Sequence, residues 1–461
     1  MLHGARSCAV VASLCVAIAQ SSVDEIRSLP GYSGQLRSKH YAGYASVSSN
    51  PEDTTNQLFY YFVQAEEAFN DDTPTLIWLN GGPGASSLMG FFAENLGPQV
   101  ITSNGSVMEN PHRLSKKYNL MAVDNPVGSG FSYTKNGAYV KSEEEMRQQF
   151  VQGLRNFFLK HPELLKHPLW VTGESYAGKY IPNIVYELHQ QIASDKKNGG
   201  KLAELTLKGM IIGNGLYNAT ASYPSVGDFA YGAGVIDDKT LSSVNQNATK
   251  CLQKIEQKSK TAGDYCENVT VRWLYNDVVH MPMYYDLGLI DLDLDSITTF
   301  MGSWLNRDDV KEALHVTGHT WVNADETGPV AEALLDDFVR PSAPYVALAA
   351  ENGYRVALYN GVRDGSVCNH LGNHQALLAM DKTWKFFGQY EAANDVPMWF
   401  HSASKKPRVA GFHKIVGGFS FTKLLNTGHL VPTVIPDEFA AFIDWVILPS
   451  DSASKLSTVV V

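Results

Sequence analysis

The feature that most constrains this chain is a buried strand, a tight turn and a helix in immediate succession. Leu169 to Thr172 has the short apolar pattern of a strand, and apolar residues then recur at helical spacing from Ile181 to Ile192. The turn between them, Gly173-Glu174-Ser175-Tyr176-Ala177-Gly178, has small residues on both sides of its serine. Larger side chains would clash in so sharp a turn. The segment therefore predicts a serine presented at the end of a strand.

Further strand patterns alternate with helical ones along the chain. The strand patterns cover residues 58–63, 75–79, 119–124, 208–213, 354–359 and 419–425, and an amphipathic helix covers about 436–446. This alternation predicts an α/β fold, with a mainly parallel central sheet and helices on both faces. A serine on a strand-to-helix turn in such a sheet is typical of the nucleophile elbow of the α/β-hydrolase fold, although Ala177 stands where the usual pattern has glycine.

The amino-acid composition of the sequence changes in one internal region. Between about 217 and 340 the density of charge and asparagine rises, and helical periodicity is visible from Leu241 to Lys258. We expect an inserted, mostly helical cap there. The predicted organisation is a hydrolase core at 20–216 and 341–448, the cap at 217–340, and a C-terminal tail at 449–461.

The first residues have the pattern of a secretory signal peptide, predicted at 1–19. Arg6 precedes an apolar run from Cys8 to Ile18, and Ala17-Ile18-Ala19 fits a cleavage site. Because the run is too short to span a bilayer, we expect no membrane anchor. The expected location is secreted or, alternatively, a vacuolar or lysosomal lumen. The formal net charge of -10, without a basic cluster, argues against nucleic acid as a partner.

Cysteines and glycosylation sequons fit an exported protein. After residue 19 the chain contains Cys251, Cys266 and Cys368. In an oxidising compartment Cys251 and Cys266 close a short polar loop, so we expect them to form a disulfide and Cys368 to remain a buried thiol. Each of four asparagines begins an N-x-[ST] sequon and is a predicted glycosylation site: Asn104, Asn218, Asn247 and Asn268.

A serine nucleophile needs a base, and the base needs an acid that orients it. In the α/β-hydrolase fold the acid and then the histidine follow the serine, each on a loop after a late strand. Asp364 and His429 occupy such positions, each in a glycine-containing turn. His374 and His413 are the nearest alternatives, but neither follows a late strand in this way.

Acyl transfer also needs hydrogen-bond donors for a developing oxyanion. The run from Asn80 to Gly84 follows the strand at 75–79 and offers glycine amides in the loop position that serves this fold. Together with the amide of Tyr176, which follows the serine, this loop predicts a two-amide oxyanion hole. No His-Glu-x-x-His pattern occurs, so we expect no metal and no other cofactor.

Several long motifs in the same order resemble those of the serine carboxypeptidases, the family of carboxypeptidase Y and the lysosomal protective protein cathepsin A. The resemblance extends over nearly the whole chain after residue 19. Its motifs are Leu29-Pro30-Gly31, Tyr41-Ala42-Gly43-Tyr44, the run 78–87, the run from Val123 to Tyr133, the run from Gly173 to Pro182, Ile212-Gly213-Asn214-Gly215-Leu216 and Gly428-His429-Leu430-Val431-Pro432.

The resemblance implies roles for individual residues of this chain. The triad would be Ser175, Asp364 and His429, and the oxyanion hole the amides of Gly82 and Tyr176. A site for the substrate's terminal carboxylate would be formed by Trp78, Asn80, Glu94 and Glu174. The pocket for the departing residue would be lined by Met89 and Leu430. The implied activity is release of C-terminal amino acids from peptides and proteins through an acyl-enzyme.

Two glutamates in a carboxylate site make physical sense under acidic conditions. If both were ionised they would repel the substrate carboxylate. Like charges that share a site raise the apparent pKa of the pair, so a proton is retained in acid. A protonated carboxyl can donate a hydrogen bond to the substrate. Taken alone, Glu94 could also be an ordinary helix-surface residue.

Three departures from the family pattern affect these expectations. Ala85 stands where the family usually has a bridged cysteine, so we expect packing to stabilise the loop instead. Three residues rather than two separate Asp364 from Cys368-Asn369, a difference that bears on the local geometry of this loop. The family's mature start also follows soon after the predicted signal peptide, so we expect no long propeptide.

Other functions use the same residues. Some relatives transfer acyl groups to small alcohols with this triad, so the alternative enzymatic function is that of an acyltransferase or esterase. A third possible function is that of a non-catalytic partner that protects other enzymes, although an intact triad argues against this as the sole role. The expected partners are peptide or protein C-termini, and a monomer and a homodimer both remain open.

Overall fold

The computed structural model describes residues 23–67, 69–281, 283–288, 294–323, 328–380, 384, 386–402, 405–448 and 458–460. The predicted signal peptide lies outside the described residues, as does most of the predicted C-terminal tail. No helix within these ranges is both long enough and apolar enough to cross a membrane.

Strands form at every apolar run that predicted one. In chain order they are β1 (Glu25–Ile26), β2 (His40–Ser46), β3 (Asn56–Val63), β4 (Thr75–Leu79), β5 (Gln99–Ile101), β6 (Val107–Glu109), β7 (Asn119–Val123), β8 (Tyr133–Thr134), β9 (Leu169–Glu174), β10 (Leu207–Gly213), β11 (Arg355–Gly361), β12 (Val396–Ser402), β13 (Lys405–Val416), β14 (Phe419–Leu424) and β15 (Thr458–Val460).

Most of these strands form a single sheet with a parallel centre. Its order is β1-β2-β3-β7-β4-β9-β10-β11-β14-β13-β12-β15, with β8 paired to β3, while β5 and β6 form a separate pair. The strands from β7 to β14 in that order are mutually parallel. The pairs that flank them, such as β2–β3 and β13–β14, are antiparallel. The carboxyl ends of the central strands therefore meet at one edge of the sheet.

Helices cover both faces of this sheet. They are α1 (Leu88–Phe92), α2 (Glu143–Lys160), α3 (Ala177–Asn198), α4 (Ala219–Ser222), α5 (Ser225–Gly232), α6 (Asp238–Glu256), α7 (Ala262–Glu267), α8 (Leu294–Leu305), α9 (Asp308–Ala313), α10 (Pro329–Phe338), α11 (Ala343–Glu351), α12 (His370–Leu378), α13 (Phe387–Ala392), α14 (Val431–Val434) and α15 (Pro436–Ile447). Short 3-10 helices cover Leu114–Lys116, Pro162–Lys166 and Lys201–Glu204, and a π-helix covers Asn268–Val278.

Strand side chains alternate between two hydrophobic cores, one on each face. In β10, Met210 and Ile212 pack with α2 and α3, whereas Ile211 packs on the opposite face with α1 and α15. The same alternation in β11 sends Leu358 to the first core and Tyr359 to the second. Because both faces are buried, the central strands read as continuous apolar runs. The predicted α/β-hydrolase fold class is confirmed.

The elements described between β10 and β11 are all helices, α4 to α11 and the π-helix, joined by turns and loops. Within it, Cys251 on α6 and Cys266 on α7 form the predicted disulfide, and both side chains are fully buried. Cys368 lies outside this disulfide and is also buried. The bridge fixes α7 against α6, which matters because α7 contributes to the wall of the cleft described below.

Removing this disulfide is expected to destabilise the protein. The two cysteines are 15 residues apart, and closing a loop of that length contributes about 3 kcal/mol in the chain-entropy model. The double variant Cys251→Ala/Cys266→Ala should therefore lose about that much free energy of unfolding in urea titrations. The wild type with reductant should approach the variant, and the variant itself should not respond to reductant. Equal stability of the two proteins would contradict the expectation.

Candidate active site

The turn after β9 presents Ser175 as its sequence predicted. β9 ends at Glu174, α3 begins at Ala177, and Ser175 between them adopts a φ of 64°, which is unfavourable for a residue with a side chain. A Cβ added at Gly173 would lie 2.1 Å from the Leu79 carbonyl oxygen. The strand before the turn therefore tolerates no side chain at that position, and the half-buried serine stands at the carboxyl end of the sheet.

His429 and Asp364 lie together, at the ends of the neighbouring strands β14 and β11. The Nδ1 atom of His429 is 2.7 Å from Oδ2 of Asp364. Asp364 is fully buried, and its two oxygens accept hydrogen bonds from the Asn214 side-chain amide at 2.7 Å and from the Ser366 backbone N–H at 2.9 Å. The extra residue after Asp364 thus does not displace it, because Ser366 within that loop hydrogen-bonds to its carboxylate.

A single cleft contains both Ser175 and His429. Its walls come from the nucleophile turn, from the loop after β4, from α7 and α10, and from the segment after Asp364. Its lining side chains include Tyr176, Glu267, Leu335, Phe338 and Val367. The structure therefore brings together at one opening the predicted serine and the predicted histidine, which lie far apart in the sequence.

The glycine loop after β4 packs directly on the nucleophile turn. A Cβ added at Gly81 would lie 2.4 Å from the backbone nitrogen of Tyr176 and 3.0 Å from Oγ of Ser175. Gly82, which follows, has a φ of 108° and lines the cleft beside Ser175. The two amides predicted for the oxyanion hole, those of Gly82 and Tyr176, therefore belong to segments in contact at the serine.

The four residues predicted for a carboxylate site form one buried network. The indole N–H of Trp78 donates to Oδ1 of Asn80 at 2.8 Å. The amide of Asn80 donates to Glu94 at 2.9 Å and to Glu174 at 3.3 Å. Glu94 is 1% exposed and Glu174 is 2% exposed. Glu94 is therefore not a helix-surface residue but half of a carboxyl pair next to Ser175.

This carboxyl pair retains protons more strongly than ordinary glutamates. Burial raises the pKa of Glu94 to about 7, against the lowering effect of hydrogen bonds from Asn80 and Glu174. Burial, and then the Glu94 charge, raise the pKa of Glu174 well above its usual value. Among the described residues, Oε2 of each carboxyl is buried and has no hydrogen-bond partner. Two carboxyls buried side by side retain a proton at a pH at which free glutamates have lost theirs.

The loop around Ala85 is stabilised by hydrogen bonds where packing was expected. Oγ of Ser86 donates to the buried Asp124 at 2.6 Å, and the backbone N–H of Ser87 donates to the same carboxylate oxygen at 2.9 Å. The indole of Trp321 also donates to Oγ of Ser86 at 2.9 Å. Burial raises the pKa of Asp124 to about 6, and hydrogen bonds to the carboxylate, first among them that from the Ser86 hydroxyl, oppose that shift.

The remaining predicted residues stay predictions. Met89 and Leu430 are half-buried, and neither belongs to the lining of the cleft that contains Ser175. Two sequon asparagines, Asn104 and Asn268, are exposed, whereas Asn218 and Asn247 are half-buried. The side-chain nitrogen of Asn247, the atom that would carry a glycan, donates to the Val269 carbonyl at 2.9 Å.

Sequence reasoning missed the residues that support the acid and the histidine. Asn214, at the end of β10, donates to Asp364 and accepts from the Gly361 N–H at 3.0 Å. The backbone carbonyl of Tyr285 accepts a hydrogen bond from the backbone N–H of His429 at 2.7 Å. The centroid of the Tyr285 ring is 5.0 Å from that of the imidazole. The position of Asn214 after a central strand was a usable signal, but no local pattern marks Tyr285. No group of three or more metal-ligating side chains is present in the part of the chain that the structure describes.

Comparisons with known proteins identify one family. Residues 30–448 match the family model described as serine carboxypeptidase. Serine carboxypeptidase-like 48 of Arabidopsis thaliana is 31% identical over 408 residues, which cover 85% of this chain and 75% of the relative. A pheromone-processing carboxypeptidase of Penicillium rubens is 32% identical over 439 residues, which cover 91% of this chain and 70% of that one.

A solved structure shows the same fold. The prohormone-processing carboxypeptidase of Saccharomyces cerevisiae superposes with a TM-score of 0.77 at 22% identity, and the match covers 92% of this chain and 95% of that one. The family match spans nearly the whole described chain and includes every strand of the large sheet except the two at its edges, β1 and β15. The chain belongs to the serine carboxypeptidase family.

Proposed function

We propose that this protein is a serine-type carboxypeptidase that removes C-terminal residues from peptides and proteins through an acyl-enzyme. The observation that carries the proposal is the buried network of Asn80, Glu94 and Glu174 beside Ser175. A hydrolase needs no such carboxyl pair for acyl transfer itself. A pair that holds protons next to the nucleophile is suited to the free carboxylate at a peptide's end.

In the proposed acylation step Ser175 attacks the carbonyl of the last peptide bond, and His429 accepts the serine proton. Asp364 holds the imidazole in the required tautomer through the contact of 2.7 Å at Nδ1. The amides of Gly82 and Tyr176 would stabilise the oxyanion of the tetrahedral intermediate. His429 then protonates the departing amine, and water hydrolyses the ester on Ser175 by the same steps.

In this proposal the carboxyl pair accounts for the preference for a free C-terminal carboxylate and for the pH dependence of its binding. When Glu94 and Glu174 are both protonated, each can donate a hydrogen bond to the substrate carboxylate. The pKa of Glu94 is raised to about 7. As the pH rises through this value, the Glu94 carboxyl ionises and repels the substrate carboxylate. The affinity for a free C-terminus should therefore be high in acid and decrease above neutrality.

Replacing Glu94 with glutamine is expected to flatten the pH dependence of KM. For the wild type and a blocked dipeptide with a free carboxylate, loss of one proton should raise KM by about tenfold per pH unit above the pKa of Glu94. Glu94→Gln keeps a donor and cannot ionise, so its KM should change much less between pH 5 and 8. Steady-state kinetics across that pH range measure KM for the wild type and for the variant. The exposed Glu67 offers a matched control, Glu67→Gln, which should behave as the wild type.

The substrate provides an independent check on the same site. A C-terminally amidated peptide carries no charge to be repelled, so its KM should vary little with pH, and it should be cleaved far more slowly than the free acid in acid. Equal cleavage of the two peptides at acid pH would reject the carboxylate site and leave Glu94 as a structural residue.

We also propose that the protein enters the secretory pathway and acts either outside the cell or in an acidic lumen. The signal-like pattern of residues 1–19 and the disulfide between Cys251 and Cys266 support this location. An acidic lumen would suit the pH dependence expected above. N-terminal sequencing of the purified protein and peptide mapping of the four sequons would test the cleavage site and the glycosylation.

A further inference from the structure

The loop that carries Gly82 is closed at its base. The backbone N–H of Asn80 donates to Oγ of Ser87 at 3.2 Å, so the start of the loop is bonded to its end. Within the loop, the Ala85 N–H donates to the Gly81 carbonyl at 3.2 Å. A Cβ added at Gly82 would lie 2.7 Å from the Ala85 nitrogen. In so compact a loop, the place of the Gly82 amide depends on where the far end is held.

Asp124 holds that far end. It follows β7, which lies beside β4 in the sheet, and its side chain is fully buried. Its Oδ1 atom accepts hydrogen bonds from the Ser86 hydroxyl at 2.6 Å and from the Ser87 N–H at 2.9 Å. The Ser87 hydroxyl also donates to the Val123 carbonyl at 2.6 Å. Two consecutive residues of the loop are therefore bonded to the end of β7.

The second carboxylate oxygen of Asp124 accepts a hydrogen bond from another segment. Oδ2 accepts from the Phe131 N–H at 2.8 Å, and a Cβ added at Gly130 would overlap it. Donors from two separate segments thus meet the two oxygens, and a carboxylate can accept from both. An asparagine has only one oxygen, so its amide nitrogen would face one of these donors with a donor of its own.

A segment between α9 and α10 contacts the same loop. The indole N–H of Trp321 donates to Oγ of Ser86 at 2.9 Å, and the Ser86 N–H donates to Oδ1 of Asn323 at 3.1 Å. Because an indole can only donate, the Ser86 hydroxyl accepts from Trp321 and directs its own proton at Asp124. Ser86 is therefore fixed by three side chains from two other parts of the chain.

We propose that Asp124 is a positioning residue for acylation, which acts through Ser86 and Ser87 to hold the Gly82 amide where the oxyanion forms. This inference rests on the proposed function, and it adds a residue that does not line the cleft containing Ser175. The Asn80 side chain is held separately, by Trp78 and Glu94. The effect of Asp124 should therefore appear in kcat rather than in binding of the substrate carboxylate.

The variant Asp124→Asn tests the inference at pH 7, where the wild-type carboxyl is ionised because its pKa is about 6. For a blocked dipeptide, kcat per active site titrated with a fluorophosphonate should fall by about tenfold, since a displaced oxyanion donor costs less than a deleted one. KM should stay within about threefold. The exposed Asp71, just before β4, offers a matched control, and Asp71→Asn should behave as the wild type.

An aldehyde inhibitor reports on the oxyanion hole without using the carboxylate site. An N-blocked amino aldehyde adds to Ser175, and the oxygen of the resulting hemiacetal would occupy the place of the oxyanion. Its inhibition constant should therefore rise in Asp124→Asn by about the factor by which kcat falls. An N-blocked ester can serve as the substrate for this measurement, because it needs the triad and the oxyanion hole but no terminal carboxylate.

A double-mutant cycle tests whether Ser86 transmits the effect. Ser86→Ala should lower kcat by about threefold, the effect of one lost hydrogen bond, since the Ser87 N–H still reaches Asp124. The double variant should be about as slow as Asp124→Asn alone, because both changes remove the same contact. Losses that multiply would overturn action through Ser86.

The other outcomes separate positioning from folding and from the proposed function. Normal kcat per titrated site in Asp124→Asn would overturn the inference, and fewer titrated sites alongside it would leave Asp124 a structural residue only. If Asp124→Asn does not fold, unchanged kcat and unchanged aldehyde inhibition in Ser86→Ala would overturn the inference alone. A wild type that hydrolyses the ester but releases no C-terminal residues would instead reject the proposed function, and the aldehyde measurement would still decide the role of Asp124.

Discussion

The variant Ser175→Ala is expected to have no measurable turnover, with a loss on the order of 10⁶-fold in kcat. The reason is geometric: the serine occupies the strained turn at φ 64° and shares one cleft with His429. No other residue at that turn carries an aliphatic hydroxyl or a thiol, so the variant should not form the acyl-enzyme. Release of C-terminal residues from a peptide, followed by mass spectrometry, measures the loss. A fluorophosphonate should label the wild type once, at Ser175.

A control on the same helix separates this effect from general damage. Ser194 is exposed near the other end of α3, and Ser194→Ala should have normal turnover and labelling. Labelling of a different serine, or residual activity in Ser175→Ala well above the uncatalysed rate, would show that the nucleophile has been assigned to the wrong residue.

The second large effect is expected from Asp364→Asn, which should lower kcat by about 10⁴-fold. Asparagine would keep the size of the side chain and the contact at Nδ1 of His429, but its amide could present a donor where the carboxylate accepts. The imidazole would then adopt the wrong tautomer to accept the serine proton. Binding should change little, so KM for a free-acid dipeptide should remain near the wild-type value.

Asp336 provides the matched control for this substitution. Its side chain is 49% exposed on α10 and pairs only loosely with Lys260, so Asp336→Asn should be neutral. The adjacent Asp337 is unsuitable, because it is buried against Lys179 and Glu143. A loss of less than about tenfold in Asp364→Asn would indicate that another group orients His429.

The central sheet was predictable because its strands are buried on both faces. β10 and β11 are apolar almost throughout, and such runs can be recognised without knowledge of their partners. The hairpin β12–β13 was not predicted. Its strands are partly exposed, with Trp399 and Phe412 more than a third exposed, and lysine and proline interrupt the pattern. Edge strands of this kind are determined by pairing with neighbours rather than by their own composition.

Within the site, too, residues marked by their local sequence could be predicted, whereas contacts determined by neighbouring elements could not. Asp364 and His429 could be found because each follows a recognisable strand in a glycine turn. Asn214 follows a strand equally well, but its contact with Asp364 depends on which strands are adjacent in the sheet. The contacts of Ser86 with Asp124 and Trp321 join segments distant in sequence, so only the packed structure could reveal them.

The order of the strands in the sheet has a consequence for the chain during its synthesis. Asn80, Ser175, Asn214, Asp364 and His429 follow β4, β9, β10, β11 and β14, which are consecutive neighbours in the sheet although the last is made long after the first. An incomplete chain that has already folded its nucleophile turn still lacks the acid and the base. Proteolytic competence would therefore appear only once β14 has docked beside β11, so the order of translation itself delays activity until the enzyme is nearly complete.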